Sequence, residues 1–140
     1  RDIQYTAQVV RDYLEGRISY VNMLAPAQLN ETILFSKDTY ILDVRPPDDR
    51  KRFKGIPNAH EVNPLYVERY LKQLPRDKQI VVYCPGGGLS VMISYFLKAK
   101  GFKRITNLRG GLDAWRTRRS DLYEKYAGQN VTVLEADTDD

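Results

Sequence analysis

The sequence predicts an α/β fold, a mostly parallel sheet with helices on both faces. Three observations carry this expectation. Strand-like and helix-like segments alternate along the chain, the pattern of parallel strands joined by helical crossovers. The segments YILDV (40–44) and QIVVY (79–83) are apolar over nearly their whole length, as strands covered on both faces must be. A chain of 140 residues is long enough for one hydrophobic core. The expected organisation is a helical extension over 1–18, one domain over 19–128 and a tail over 129–140.

Each element has its own signal. Ile3, Ala7, Val10 and Leu14 recur at helical spacing and stop at Gly16, which predicts an amphipathic helix packed on the domain. Residues 19–23 read as a short strand. Pro26 opens a helix to about Phe35, with Leu29, Ile33 and Leu34 inward. The strand 40–44 ends at Pro46 and Pro47, after which Asp48 and Asp49 start a short helix that is over by Gly55. Residues 60–63 read as a strand, and Pro64 starts a helix with Leu65, Val67, Tyr70 and Leu71 inward. The strand 79–83 is the strongest in the chain. A helix over 90–100 follows, then a strand over 104–108, a helix carrying Leu112, Ala114 and Trp115, and a last helix over 120–126. The acidic residues Glu135, Asp137, Asp139 and Asp140 read as a frayed end.

Composition narrows the function. No run of 18 apolar residues is present, so no integral membrane helix is expected. One cysteine and one histidine exclude an internal disulfide, a multi-thiolate zinc site and a histidine-rich metal centre. No metal and no cofactor is expected. The net charge of +4 comes from scattered, short basic runs such as 50–52 and 118–119. These read as solvated faces or as a weak field that draws small anions. The tyrosines are spread along the chain and form no stacking platform, so nucleic acid is not an expected partner. The chain opens on Arg1 rather than methionine, as expected of a processed or truncated chain. The expected location is cytoplasmic, with an organelle or the periplasm as alternatives.

The chemistry is expected at Cys84. It ends the central strand and is followed by Pro85, Gly86, Gly87, Gly88, Leu89 and Ser90 at the start of a helix. That edge of a parallel sheet is where ligands bind. Three glycines let the backbone close into a concave loop whose N–H groups point inward, and the helix adds its positive end. Such donors hold a thiolate, an anionic substrate or a sulfur-bearing product equally well. A buried, inert cysteine is the other common use of this residue.

Read together, Asp43-Val44-Arg45, Gly55-Ile56-Pro57-Asn58-Ala59, the strand and glycine loop ending at Cys84, Asn107-Leu108-Arg109-Gly110-Gly111 and Ala114-Trp115 resemble a single-domain rhodanese over about 20–118. The resemblance implies a five-stranded parallel sheet flanked by helices and a persulfide carried on Cys84. It implies a sulfurtransferase that takes a sulfane sulfur from a small anionic donor such as thiosulfate and gives it to cyanide, an external thiol or a partner protein. Pro85, Gly86, Gly87, Gly88, Leu89 and Ser90 would form the binding loop. Many rhodanese loops carry an arginine where this chain has Leu89, so anion binding here would rest on backbone N–H groups and nearby basic residues. Asp43 and Arg45 are read as supporting residues at the site edge or as a structural ion pair. Arg109 is read as an anion contact or a solvated side chain. The family's usual histidine after Gly55 is absent, and His60 is read as structural. The related phosphatases need an arginine six positions after the cysteine, where this chain has Ser90. The alternative to an enzyme is a rhodanese-like binding or sulfur-sensing module.

Overall fold

A computed structural model describes residues 7, 8, 10–12, 14, 15 and 20–138. Six parallel strands form one sheet: β1 (Asn22–Leu24), β2 (Thr39–Asp43), β3 (Ala59–Glu61), β4 (Gln79–Tyr83), β5 (Ile105–Leu108) and β6 (Thr132–Val133). Their spatial order is β1-β5-β4-β2-β3-β6. The two most apolar strands, β2 and β4, lie side by side in the middle, with Ile41 opposite Val81 and Leu42 opposite Val82.

Side chains alternate across the sheet, and two cores result. On one face Tyr40, Leu42, Val44, Ile80, Val82 and Cys84 pack under α3 (Gly88–Ala99) through Ile93 and Leu97. Val67, Tyr70 and Leu74 complete this core from the 3-10 turns Pro64–Arg69 and Leu71–Gln73 and the residue that follows. On the other face Ile41, Val81 and Tyr83 pack against α1 (Glu31–Leu34), α4 (Gly111–Arg118) and α5 (Ser120–Tyr126) through Leu34, Leu112, Trp115 and Leu122. The short α2 (Pro47–Arg52) follows β2. Among the described residues no helix is long and apolar enough to cross a membrane.

The expectations need four corrections. The tail is not frayed over 131–137. β6 pairs with β3, Leu134 N–H donates to Glu61 O at 3.0 Å, and Asp137 N–H donates to Arg69 O at 2.8 Å. Free edge groups on β3 attract it, and Leu134 and Ala136 pack on the first core. The helix expected over 26–35 is broken at Leu29, because the Asn30 side chain caps a new turn by accepting from Ile33 N–H. Leu65 faces solvent, because Tyr66 takes a non-helical conformation that interrupts the turn. In the N-terminal segment the described residues are mostly helical, but Val10 is 48% and Leu14 76% exposed, so the expected apolar stripe is not buried. Ile3, Gly16 and Ser19 lie outside the described residues.

Candidate active site

Cys84 directly follows β4, and its side chain is 2% exposed. The sulfur is not merely packed in hydrocarbon. Sγ accepts hydrogen bonds from Gly87 N–H at 3.1 Å and Ser90 N–H at 3.3 Å. Ser90 is the third residue of α3, so its N–H has no acceptor inside the helix and is free for the sulfur. The positive end of a helix and two amides therefore converge on one atom. The Ser90 hydroxyl is turned back into the loop and donates to Gly87 O at 3.2 Å, while Ser94 Oγ donates to Ser90 O at 2.7 Å.

The expected binding loop divides into two groups. Gly87 and Ser90 are buried and hold the cysteine's own sulfur. Gly86, Gly88 and Leu89 are exposed, and Pro85 is half-buried. Gly88 and Leu89 are the first two residues of α3, where N–H groups have no intrahelical acceptor.

The loop is clamped from behind by a second helix start, which sequence reasoning did not assign. Leu112 N–H, in the first turn of α4, donates to Cys84 O at 2.9 Å, and Asp113 N–H donates to Pro85 O at 3.0 Å. Gly111 (φ +63°) leaves no room for a side chain, because a Cβ there would stand 2.2 Å from Cys84 O. Gly87 (φ +98°) meets Gly110 in the same way, its absent Cβ falling 3.0 Å from Gly110 N. Two glycine turns thus pack backbone on backbone. The signal in the sequence is the Gly110-Gly111 pair at the end of a strand adjacent to β4.

The supporting residues separate from the sulfur. Strand alternation puts Cys84 on the α3 face with Val82, and Asp43 and Tyr83 on the other. There Asp43 and Arg45 form a buried ion pair, with Arg45 Nη2 2.9 Å from Asp43 Oδ2. Arg45 also donates to Phe53 O at 2.8 Å and to Asp49 Oδ2 at 3.3 Å. Tyr83 OH donates to Asp43 Oδ2 at 2.6 Å and accepts from Ile56 N–H at 3.1 Å. Burial alone would lower the Arg45 pKa, but the bonds and charges of Asp43, with Asp49, raise it overall. Burial first, and the Asp43 charge next, push the Tyr83 phenol well above its ordinary range, so it stays a donor. This network ties the ends of β2 and β4 to the 53–56 turn. Tyr83 was not expected in it; an aromatic beside the cysteine, with a polar tip to satisfy, is the signal.

Arg109 is exposed at the end of β5, and its backbone N–H donates to Leu24 O at 2.8 Å. His60 stacks on Tyr40 with ring centroids 3.8 Å apart, and its Nδ1–H donates to Ile41 O at 3.2 Å. Burial pushes its pKa down. Among the described residues no cluster of three or more histidine, cysteine, aspartate or glutamate side chains could hold a metal ion.

Comparison with known proteins fits this geometry. Residues 25–118 match the rhodanese-like domain family. A sulfurtransferase of Allochromatium vinosum is 28% identical over 95 residues, covering 68% of this chain and 88% of that protein. A tRNA sulfurtransferase of Desulfurococcus amylolyticus is 39% identical over 79 residues, which is 56% of this chain but only 15% of that longer protein. The crystal structure of a rhodanese-related protein from Thermoplasma volcanium superposes with a TM-score of 0.62 at 28% identity, covering 70% of this chain and 93% of that one. A family match that runs through β2 to β5, the cysteine loop and the Gly110-Gly111 clamp leaves one assignment: the chain belongs to the rhodanese-like domain family.

Proposed function

We propose that this domain is a sulfurtransferase that carries a sulfane sulfur on Cys84. The observation that supports the reading is the pair of amides, Gly87 N–H and Ser90 N–H, aimed at Sγ at the amino end of α3. The thiolate attacks the outer sulfur of thiosulfate or a similar donor. The S–S bond breaks, sulfite leaves with the bonding electrons, and Cys84 becomes a persulfide. The N–H groups of Gly88 and Leu89, exposed residues in the first turn of α3, are the donors this reading assigns to the added sulfur. Cyanide, a thiol or a partner protein then takes the outer sulfur. The chain has one cysteine, so no second thiol of its own can resolve the persulfide.

Intact mass after incubation with excess donor tests this. The expected result is a gain of one sulfur atom that cyanide removes and that Cys84→Ala abolishes. No gain under donor excess would end the catalytic reading. The burial of Cys84, 2% exposed, favours a second reading as a binding or sulfur-sensing module. Under that reading iodoacetamide would leave Cys84 unmodified in the folded protein at neutral pH.

A further inference from the structure

We propose that the outer edge of β3, together with the turn Leu71–Gln73, is a docking groove for an extended segment of a partner protein, and that residues 131–137 of this chain are its displaceable resident. Docking there goes beyond sulfur transfer and does not depend on it.

The resident segment shows what the groove recognises. It runs parallel to β3, with Thr132 opposite His60 and Val133 opposite Glu61. Leu134 N–H then donates to Glu61 O at 3.0 Å, and Asp137 N–H donates to Arg69 O at 2.8 Å. Main-chain bonds of this kind select a chain in extended form. Leu134 and Ala136, two positions apart, both pack on the first core. Gln73 Nε2 donates to Glu135 O at 2.7 Å and to Asp137 Oδ1 at 3.2 Å, so one amide holds both the main chain and the acid. Exposed Lys72 adjoins Gln73 in the same turn and adds positive charge. Glu61, opposite Val133, disfavours an acid at that one position. The partner segment that fits is therefore extended, uncharged where Val133 lies, apolar where Leu134 and Ala136 lie, and acidic directly after.

Three features make the resident displaceable. It lies beyond residues 25–118, the part of the chain that matches the family domain. It buries little: Thr132, Glu135 and Asp137 are exposed, and Val133 is 69% exposed, whereas stabilisation grows with the apolar area removed from water. Its root is fastened separately. Gly128 N–H donates to Gly55 O at 2.8 Å, Asn58 N–H to Gln129 O at 3.0 Å, and Asn130 Nδ2 to Asn58 Oδ1 at 2.8 Å. Asn130, with a left-handed φ of +53°, is the joint from which the segment can swing away while this root stays in place. The tether keeps the resident near the groove at an effective concentration of about millimolar, so a partner competes with it instead of meeting an open edge.

The test is fluorescence anisotropy with a labelled peptide of residues 130–138, NVTVLEADT. Parent protein, Leu134→Asp and the milder Leu134→Ala are compared after cooperative thermal unfolding is checked, so that one variant suffices if the other does not fold. Weakening the resident should tighten peptide binding at least about tenfold in Leu134→Asp and about threefold in Leu134→Ala. Adding Gln73→Ala to Leu134→Ala removes a groove donor and should loosen binding about three- to tenfold. The same peptide with Leu134→Ser or Asp137→Lys should bind at least about threefold more weakly. Opposite signs for resident and groove are not produced by general destabilisation. Absence of binding to folded Leu134 variants, or equal affinity for these and the parent, would overturn the groove. Dimerisation of the parent in sedimentation, reversed by excess peptide, would give the groove to a second copy and overturn the choice of partner. None of these results bears on sulfur loading.

Discussion

Replacing Gly111 by alanine tests whether the start of α4 positions the sulfur loop. The added Cβ would lie 2.2 Å from Cys84 O, 2.6 Å from Pro85 O and 2.7 Å from Pro85 C. All three are backbone atoms, so no side chain can swing aside, and the loop has to retreat by about an ångström to reach van der Waals contact. The left-handed φ of +63° adds its own strain. That strain costs about 1–2 kcal/mol, and weakening the Leu112 and Asp113 bonds to the loop costs about 0.5–1.5 kcal/mol each, so roughly 2–5 kcal/mol in all. A domain of this size has about 5–15 kcal/mol to lose, so the variant folds but unfolds at clearly lower urea. Sulfur loading suffers more than stability. A displacement of about an ångström at a reacting group lowers rates on the order of a hundredfold. The control is Gly128→Ala, where φ is +79° but the Cβ would meet only the flexible Lys54 side chain at 3.2 Å. It should lose about 1 kcal/mol and load sulfur at the parent rate. Urea melts and the loading rate, measured on the same samples, decide the matter. If Gly111→Ala matches Gly128→Ala in both, the clamp does not position the loop.

Two other outcomes are expected. Asp43→Asn takes from buried Arg45 its nearer counter-charge, leaving only Asp49 at 3.3 Å, and should cost about 3–5 kcal/mol in urea unfolding. Because that pair lies on the face away from Sγ, the loading rate per folded molecule should stay at the parent value, and a large loss would show that the pair acts on the sulfur. His60 gives a pH signature. Burial lowers its pKa in the folded state, so the unfolded chain takes up a proton first as pH falls below 6.5, and the folded state loses stability in that window. Glu61 has the opposite sign, since burial raises its pKa and the folded state holds its proton at higher pH. Thermal melts of the parent and of His60→Phe between pH 5 and 7 separate the two. Only the parent should carry the histidine loss on acidification; curves of the same shape would contradict it.

Much of the fold is legible in the residues because burial on both faces leaves strands no choice but to be apolar. β2 and β4 are recognisable on that ground alone, and the cysteine loop follows because glycine triplets between a strand and a helix have few other uses. What escaped reading depends on partners distant in sequence. β6 is two residues, too short for its alternation to register, and it exists because β3 has an open side. Ser90, Ser94 and Asn107 are buried polar residues that no periodicity marks. Leu65 and Leu14 look inward by spacing and face outward in the structure. The division of the loop into amides that hold the sulfur and amides of exposed residues depends on where α3 begins. It begins at Gly88, two residues before the sequence suggests.

The sheet also tapers. β2 and β4 are five residues long, and the outermost strands, β1 and β6, are three and two. An open flank is a ladder of unused hydrogen bonds on which a foreign chain can polymerise, and its hazard grows with its length. Here each flank ends in a step too short to template further growth. Short outer strands thus keep the margins of the sheet non-adhesive.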